Sequence, residues 1–256
     1  MKPPLTADLL PVKAPHVPLT AYYKTEQDRQ AYLKKIFDDT APDYDRIERL
    51  MALGSGPWYR RQALIRAGLQ PNMKVLDVGV GTGLVAAQAC ILTGNPALVT
   101  GIDPSSGMMA ASRVPDGMVL MEGRAEALPF PDNHFDFLSM GYALRHISDL
   151  SMAFAEFERV LKPGGRICIL EMTQAQSSFA NLILKTYMRG VIPLLTRLVT
   201  RQKNTETIWR YFWDSIEACV SPELVMVTLR NAGLSEVKRH VELGVFSEYQ
   251  AVKVAK

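Results

Sequence analysis

The stretch Val75-Leu76-Asp77-Val78-Gly79-Val80-Gly81-Thr82-Gly83 constrains the fold of this chain more than any other. Val75, Leu76 and Val78 read as a buried strand, and three glycines at alternate positions open the backbone where that strand ends. Glycine carries no Cβ, so a ligand can lie against the main chain there. Leu84 to Ala89 has helical character, so the turn feeds a helix whose N-terminus bears partial positive charge. Asp103 follows the apolar run Ala97 to Ile102, twenty positions beyond Gly83. An acid closing the second strand of such a unit is placed to accept both hydroxyls of a ribose. A glycine turn alone would predict only a turn; with Asp103 it predicts a nucleoside site on a doubly wound α/β sheet.

A dinucleotide fingerprint, G-x-G-x-x-G, uses its third glycine to let helix and strand close around a pyrophosphate. Here Leu84 stands in that third place and the glycine comes one residue earlier. The G-x-G-x-G spacing after Asp77 resembles the first motif of class I S-adenosylmethionine methyltransferases. That cofactor has no pyrophosphate, but it carries an ammonium and a sulfonium that a nearby carboxylate can offset.

Further segments follow in order. Arg124-Ala125-Glu126-Ala127-Leu128-Pro129-Phe130-Pro131-Asp132 is turn-rich and precedes a strand-like Phe137 to Met140. Leu144-Arg145-His146 comes after that strand, and a helix over Met152 to Leu161 is stopped by Pro163-Gly164-Gly165 before a buried strand, Arg166 to Glu171. With Tyr44-Asp45 and the late Tyr211-Phe212-Trp213-Asp214-Ser215-Ile216, this order resembles the ubiquinone/menaquinone biosynthesis C-methyltransferase family over about residues 36 to 254. The glycine loop and Leu161-Lys162-Pro163-Gly164-Gly165 are shared by many methyltransferases; Tyr44-Asp45, Leu144-Arg145 and the Tyr211 motif are narrower.

The resemblance implies a Rossmann-like class I fold, S-adenosylmethionine as cofactor and a quinol-like or phenolic ring with an isoprenoid tail as methyl acceptor. Cofactor-binding residues carried over are Asp77, Gly79, Gly81, Thr82, Asp103, Arg124, Ala125 and Gly141. Arg145 and His146 take the catalytic places, and Tyr44 and Asp45 belong to a cover over the substrate. Arg145 is a permanent cation, suited to stabilising a phenolate or orienting the water that removes its proton. Two residues depart from the family: Arg124 stands where Asp or Asn is usual, and His146 replaces Asn. Methylation of an oxygen or amine in a secondary metabolite, and a non-catalytic cofactor-binding subunit, are the alternative functions. A nicotinamide oxidoreductase is disfavoured by Leu84.

The 29 basic and 26 acidic residues nearly balance, which gives no basis for a nucleic-acid partner. Cys90, Cys168 and Cys219 lie far apart in apolar surroundings, as buried thiols of a reducing cytoplasm do, and no metal site is expected. Met1-Lys2-Pro3-Pro4 begins no secretory signal, and Lys185, Arg189, Pro193 and Arg197 interrupt the longest apolar stretch. A cytoplasmic protein is expected, with peripheral membrane contact and a homodimer left open.

Residues 1–25 form a proline-rich arm (Pro3, Pro4, Pro11, Pro15, Pro18), and 26–256 a single domain. Its cover comes from 26–68 and 178–218, both helical, with Pro193 a break. Segment 179–199 is expected to pack in the interior rather than lie on anionic lipid, because its basic residues share no clear face. Ser221-Pro222-Glu223 caps a helix to Asn231, and Ser235 to Val241 with Val245 to Val254 read as a terminal hairpin completing the sheet's edge.

Overall fold

A computed structural model describes residues 14–52, 54–175, 177–194 and 205–255. Seven strands form one sheet: β1 (Val75–Val78), β2 (Val99–Asp103), β3 (Val119–Glu122), β4 (Phe135–Gly141), β5 (Leu161–Met172), β6 (Leu234–Glu242) and β7 (Phe246–Lys253), in the order β3-β2-β1-β4-β5-β7-β6. The first five run parallel, which is why β1 is apolar throughout except for Asp77 and buried at every position. The expected hairpin is present, and β7 joins the sheet antiparallel to β5. Its turn carries Leu243 and Gly244 at φ of 50° and 73°, the left-handed pair that matches strand twist in a tight hairpin.

β5 begins earlier than the sequence suggests. Leu161 already pairs with Phe135, and the register then shifts so that Arg166 pairs with Phe137. Lys162 to Gly165 therefore form a bulge within the strand, with Gly164 at a φ of 78° taking a conformation that side chains disfavour.

Helices cover both faces. α2 (Gly56–Arg66) and α3 (Leu84–Thr93) pack together on one side, around a core that includes Leu64, Val85, Ala89 and Phe137. On the other lie α5 (Leu150–Val160) and the terminal helix Pro222–Asn231. Asp149 caps α5 by accepting from the Met152 amide, and Leu150, Ala153, Phe154, Phe157 and Val160 are buried. Their three- and four-residue spacing makes one apolar stripe, each large side chain contributing about 1.5–3 kcal/mol by burial. Ser221 caps the terminal helix by accepting from Leu224, as its sequence predicted.

A third core lies over the sheet's carboxyl end. α1 (Glu26–Met51) contributes Ile36 and Ile47, and the helix Thr205–Ala218 contributes Ile208, Trp209, Tyr211 and Trp213. The short α4 (Ser106–Ala110) also packs on α1. Residues 14–25 lie on this layer: Tyr23 is buried in its core, and the Val220 amide donates to the Pro15 carbonyl.

The break expected at Pro193 does not fall on the proline: residues 192–194 are helical, and the ladder widens before them, over Tyr187–Val191, where the Ile192 amide reaches back to the Tyr187 carbonyl. Proline has no N–H to continue an i→i−4 ladder, and the wider turn re-sets the helix before it. Interior packing of segment 179–199 is corrected for its first part. α6 (Ser178–Thr186) has no buried residue, and Phe179 and Leu182 are largely exposed; of the described part of the segment, Met188 and Ile192 are buried in the third core while Leu184 and Tyr187 pack half-buried against it. Pro3, Pro4, Pro11, Leu53, Arg197, Arg201, Lys203 and the 195–204 part of the cover lie outside the described residues. No described helix is long and apolar enough to cross a membrane.

Candidate cofactor and acceptor site

Strand order reverses between β1 and β4, and ligands in open α/β sheets bind at the carboxyl ends of strands beside such a reversal. A cavity of about 610 Å³ lies there, within the ordinary size of small-molecule sites. It is lined by the glycine loop, Asp103, Ala125, Gly141 and His146, and by Phe37 and Tyr44 of α1.

Gly79, Gly81 and Gly83 have φ of 69°, 54° and 90°, so the loop uses glycine's left-handed freedom at all three positions. A Cβ on Gly79 would come 2.6 Å from the Ala143 Cβ, and one on Gly83 2.2 Å from Val114 Cγ1. The loop amides are already engaged: Gly79 and Val80 donate to the Ile102 carbonyl, Gly83 to Val80, and Gly81 to Asp103 Oδ2 at 2.8 Å. A phosphate cradle would need such amides free. The donor set thus fits a nucleoside without a pyrophosphate, as the Leu84 spacing suggested.

Asp103 ends β2 and also accepts from the Ser105 amide at 2.8 Å. Burial pushes its carboxyl up to about 6, held back by these two amide bonds. Asp77 is 1% exposed, accepts from Ser139 Oγ at 2.6 Å, and is pushed by burial up to about 7. Both carboxylates therefore favour a cationic or hydrogen-donating ligand, whose arrival restores their charge.

The other predicted cofactor residues are also brought together. Thr82 lines the cavity, and its hydroxyl donates to Asp45 Oδ1 on α1. Ala125 is buried on the wall. Gly141 closes β4, where a Cβ would sit 2.5 Å from Val85 Cγ2. Arg124 lines the cavity too, but its guanidinium is turned to Ser148 Oγ at 2.9 Å and to Glu126.

Arg145 and His146 sit on one turn after β4, yet they part company. Arg145 is 3% exposed and is not among the residues lining the cavity. Its Nη1 donates to Glu171, its Nε to Ser215 Oγ at 3.1 Å, and its guanidinium lies 5.0 Å from the Phe212 ring centre. From the sequence Arg145 takes a catalytic place, stabilising a phenolate or orienting a water; in the structure its guanidinium lies outside the cavity lining, held by the buried carboxylate that neutralises it. Burial pushes the Glu171 carboxyl up, against the pull of Arg145.

His146 does line the cavity. Its Nδ1 lies 3.2 Å from the Tyr211 hydroxyl, its ring meets Phe37 edge-on at 5.2 Å, and its Nε2 has no partner. Burial, with the charges of Arg145 and Arg29, holds this imidazole well below the usual histidine range, so it is neutral at physiological pH. Tyr44 lines the same region, its hydroxyl pushed up to about 12 by burial.

Sequence reasoning missed Arg29 and Asp38, which with Asp45 tie these loops together. Arg29 of α1 donates to the Arg145 and Ile147 carbonyls, both at 3.0 Å. Asp38 accepts from Ser105 Oγ at 2.6 Å and the Gly107 amide at 2.9 Å, while Asp45 takes Thr82. α1 thus holds the loops after β4, β2 and β1 through three separate side chains. Glu171 and Ser215 were visible only as the end of a strand and part of the Tyr211 motif. That motif supplies the neighbours of Arg145 and His146: Tyr211, Phe212 and Ser215.

The model of the ubiE/COQ5 methyltransferase family matches residues 24–253. A ubiquinone/menaquinone biosynthesis C-methyltransferase UbiE of Hahella chejuensis is 29% identical over 234 residues, 88% of this chain and 93% of that protein. The protein of the same description from Shewanella halifaxensis is 31% identical over 224 residues, 84% of this chain and 88% of its own. The structure of a SAM-dependent methyltransferase of Thermotoga maritima, described as a possible histamine N-methyltransferase, is similar with a TM-score of 0.61 at 22% identity. It covers 86% of this chain and 99% of that one, and at this identity the likeness is one of fold. By its family match and its glycine loop, this chain is an S-adenosylmethionine-dependent methyltransferase of the ubiE/COQ5 family.

Proposed function

We propose that the enzyme methylates a ring carbon of a quinol-like or phenolic acceptor bearing an isoprenoid tail. The observation that carries this is His146 on the cavity wall, with Nδ1 against Tyr211, Nε2 unpartnered and the ring edge-on to Phe37. S-adenosylmethionine, when bound, supplies an electrophilic methyl group. A phenol ring carbon becomes nucleophilic when its ortho or para hydroxyl gives up its proton. In the tautomer whose Nδ1–H donates to the Tyr211 hydroxyl, His146 Nε2 is left to accept a hydrogen bond from the phenol's hydroxyl. Phe37, Tyr44 and Tyr142 offer the ring an aromatic wall, and Arg145 acts through position, fixing the turn that carries His146.

The relatives' description as quinone-biosynthesis C-methyltransferases supports the acceptor class. α1 with Tyr44 and Asp45, together with the helix Thr205–Ala218, serves as the cover that excludes water from the reacting ring. The test is incubation with methyl-labelled cofactor and a lipid extract, followed by ether cleavage of the labelled product. A label that resists cleavage on a phenolic lipid is expected. Label released as a methyl ether, or fixed on an amine, would overturn C-methylation.

A further inference from the structure

We propose that Arg60 receives the carboxylate of the cofactor's methionyl group, beside Asp77, which takes its ammonium. The inference rests on the cofactor and not on the acceptor. A zwitterionic amino-acid end needs both signs of charge within one small region, and β1 with α2 supplies them. Arg60 is 4% exposed and lines the cavity together with Asp77 and Gly79. Its charge is close enough to oppose the rise of the Asp77 pKa.

The guanidinium is held but not filled. Nη2 donates to Glu48 Oε1 at 2.6 Å, and the Tyr142 ring centre lies 5.7 Å from the guanidinium carbon. Nε and Nη1 have no partner, although both are buried. Buried donors left unmet destabilise the empty site, and a ligand oxyanion that reaches them relieves that. The chain also clears space for this pair. A Cβ on Gly56 would come 2.5 Å from both Arg60 Nη1 and Glu48 Oε1, so the first residue of α2 lets the two side chains meet against it.

Other donors are engaged. The Thr82 hydroxyl donates to Asp45, whose own carboxylate would repel an anion, and four amides of the glycine loop are paired within the protein. Among the described residues, two further cations line the cavity, Lys34 and Arg124. Lys34 pairs with Asp38 at 3.3 Å and Arg124 with Glu126 at 3.4 Å, and Lys34 also reaches Ser106 in the loop after β2. Arg60 alone of the three is buried and still has unpartnered donors.

A phenolate on the acceptor offers the same chemistry, and the experiment separates the two. Calorimetry measures S-adenosylhomocysteine and 5′-methylthioadenosine, which shares the nucleoside and thioether but lacks the amino-acid end, with wild type and Arg60→Gln. The variant is expected to bind S-adenosylhomocysteine roughly 10- to 100-fold more weakly, the range for losing charge-assisted hydrogen bonds, with 5′-methylthioadenosine unchanged. Arg60→Lys keeps the charge in the buried pair and should reduce the ratio of the two affinities less, a readout insensitive to partial unfolding. Equal losses for both ligands would mark Arg60 as structural and overturn the assignment. Unchanged S-adenosylhomocysteine affinity with a raised acceptor KM would also overturn it, moving the oxyanion to the acceptor.

Discussion

Cofactor binding should release protons, in an amount set by two buried carboxyls. In the empty site Asp77 titrates at about 7 and Asp103 at about 6, both raised chiefly by burial. A bound ammonium beside Asp77 and ribose hydroxyls on Asp103 favour only the ionised forms, so binding drives off whatever protons remain. At pH 7 Asp77 is half protonated and Asp103 about one-tenth, giving about 0.6 proton released per S-adenosylhomocysteine. The same arithmetic gives about 1.4 protons at pH 6 and about 0.1 at pH 8, with affinity roughly 20-fold weaker at pH 6 than at pH 8. Titration calorimetry in buffers of different ionisation enthalpy reads the number directly. Asp77→Asn should remove most of the release at pH 7, leaving about 0.1 proton from Asp103. Folded pKa values raised above the unfolded ones give a contribution present below pH 4 and lost as pH climbs through 6 to 7, so Asp77→Asn should raise the melting temperature of the empty protein at pH 8. Binding enthalpies identical across buffers at pH 6, with affinity flat from pH 6 to 8, would refute this account of the site.

Glu171→Ala should destabilise the fold by about 3–5 kcal/mol in denaturant titrations, because it strands the buried Arg145 charge; a loss below about 1 kcal/mol would mean that Arg145 finds another carboxylate. Because His146 is held well below the usual histidine range, turnover should show no histidine limb between pH 6.5 and 8. His146→Asn should give the same flat profile, whereas His146→Phe, which removes the acceptor nitrogen, should lower kcat by about 100-fold or more. A wild-type limb near pH 6.5 that vanishes in the Asn variant would contradict the burial described here.

Much of the candidate site is legible in the sequence. Alternating glycines can serve few purposes at the end of an apolar strand, and an acid at the end of the next parallel strand must come beside them once the two strands pair. Asp77, Gly79, Gly81, Thr82, Asp103, Ala125 and Gly141 all line one cavity for that reason. The terminal hairpin and the capped helix after Ser221 were equally plain, since turn and cap chemistry lies within a few residues of the element it controls. The length of β5 was less plain, because a bulge is decided by the partner strand and not by the Pro-Gly-Gly that marks it.

Arg145 shows where the sequence stopped informing. Its position after β4 was readable, but its direction was not, because a buried cation turns to whichever carboxylate the packing brings near. That carboxylate, Glu171, is 26 residues away on β5, and Ser215 is 70 away on the cover. The pairing of Arg60 with Glu48, and the hold of Arg29, Asp38 and Asp45 on three loops, depend in the same way on helices folding back over the sheet. Nothing in the linear spacing of these charges links them. Strand period, glycine conformation and capping are local properties, and the amino-acid sequence determined them by itself. Which charges are buried together, and so which remain to meet a ligand, was decided only by the tertiary structure, because desolvation and ion pairing act through space between residues the chain keeps far apart.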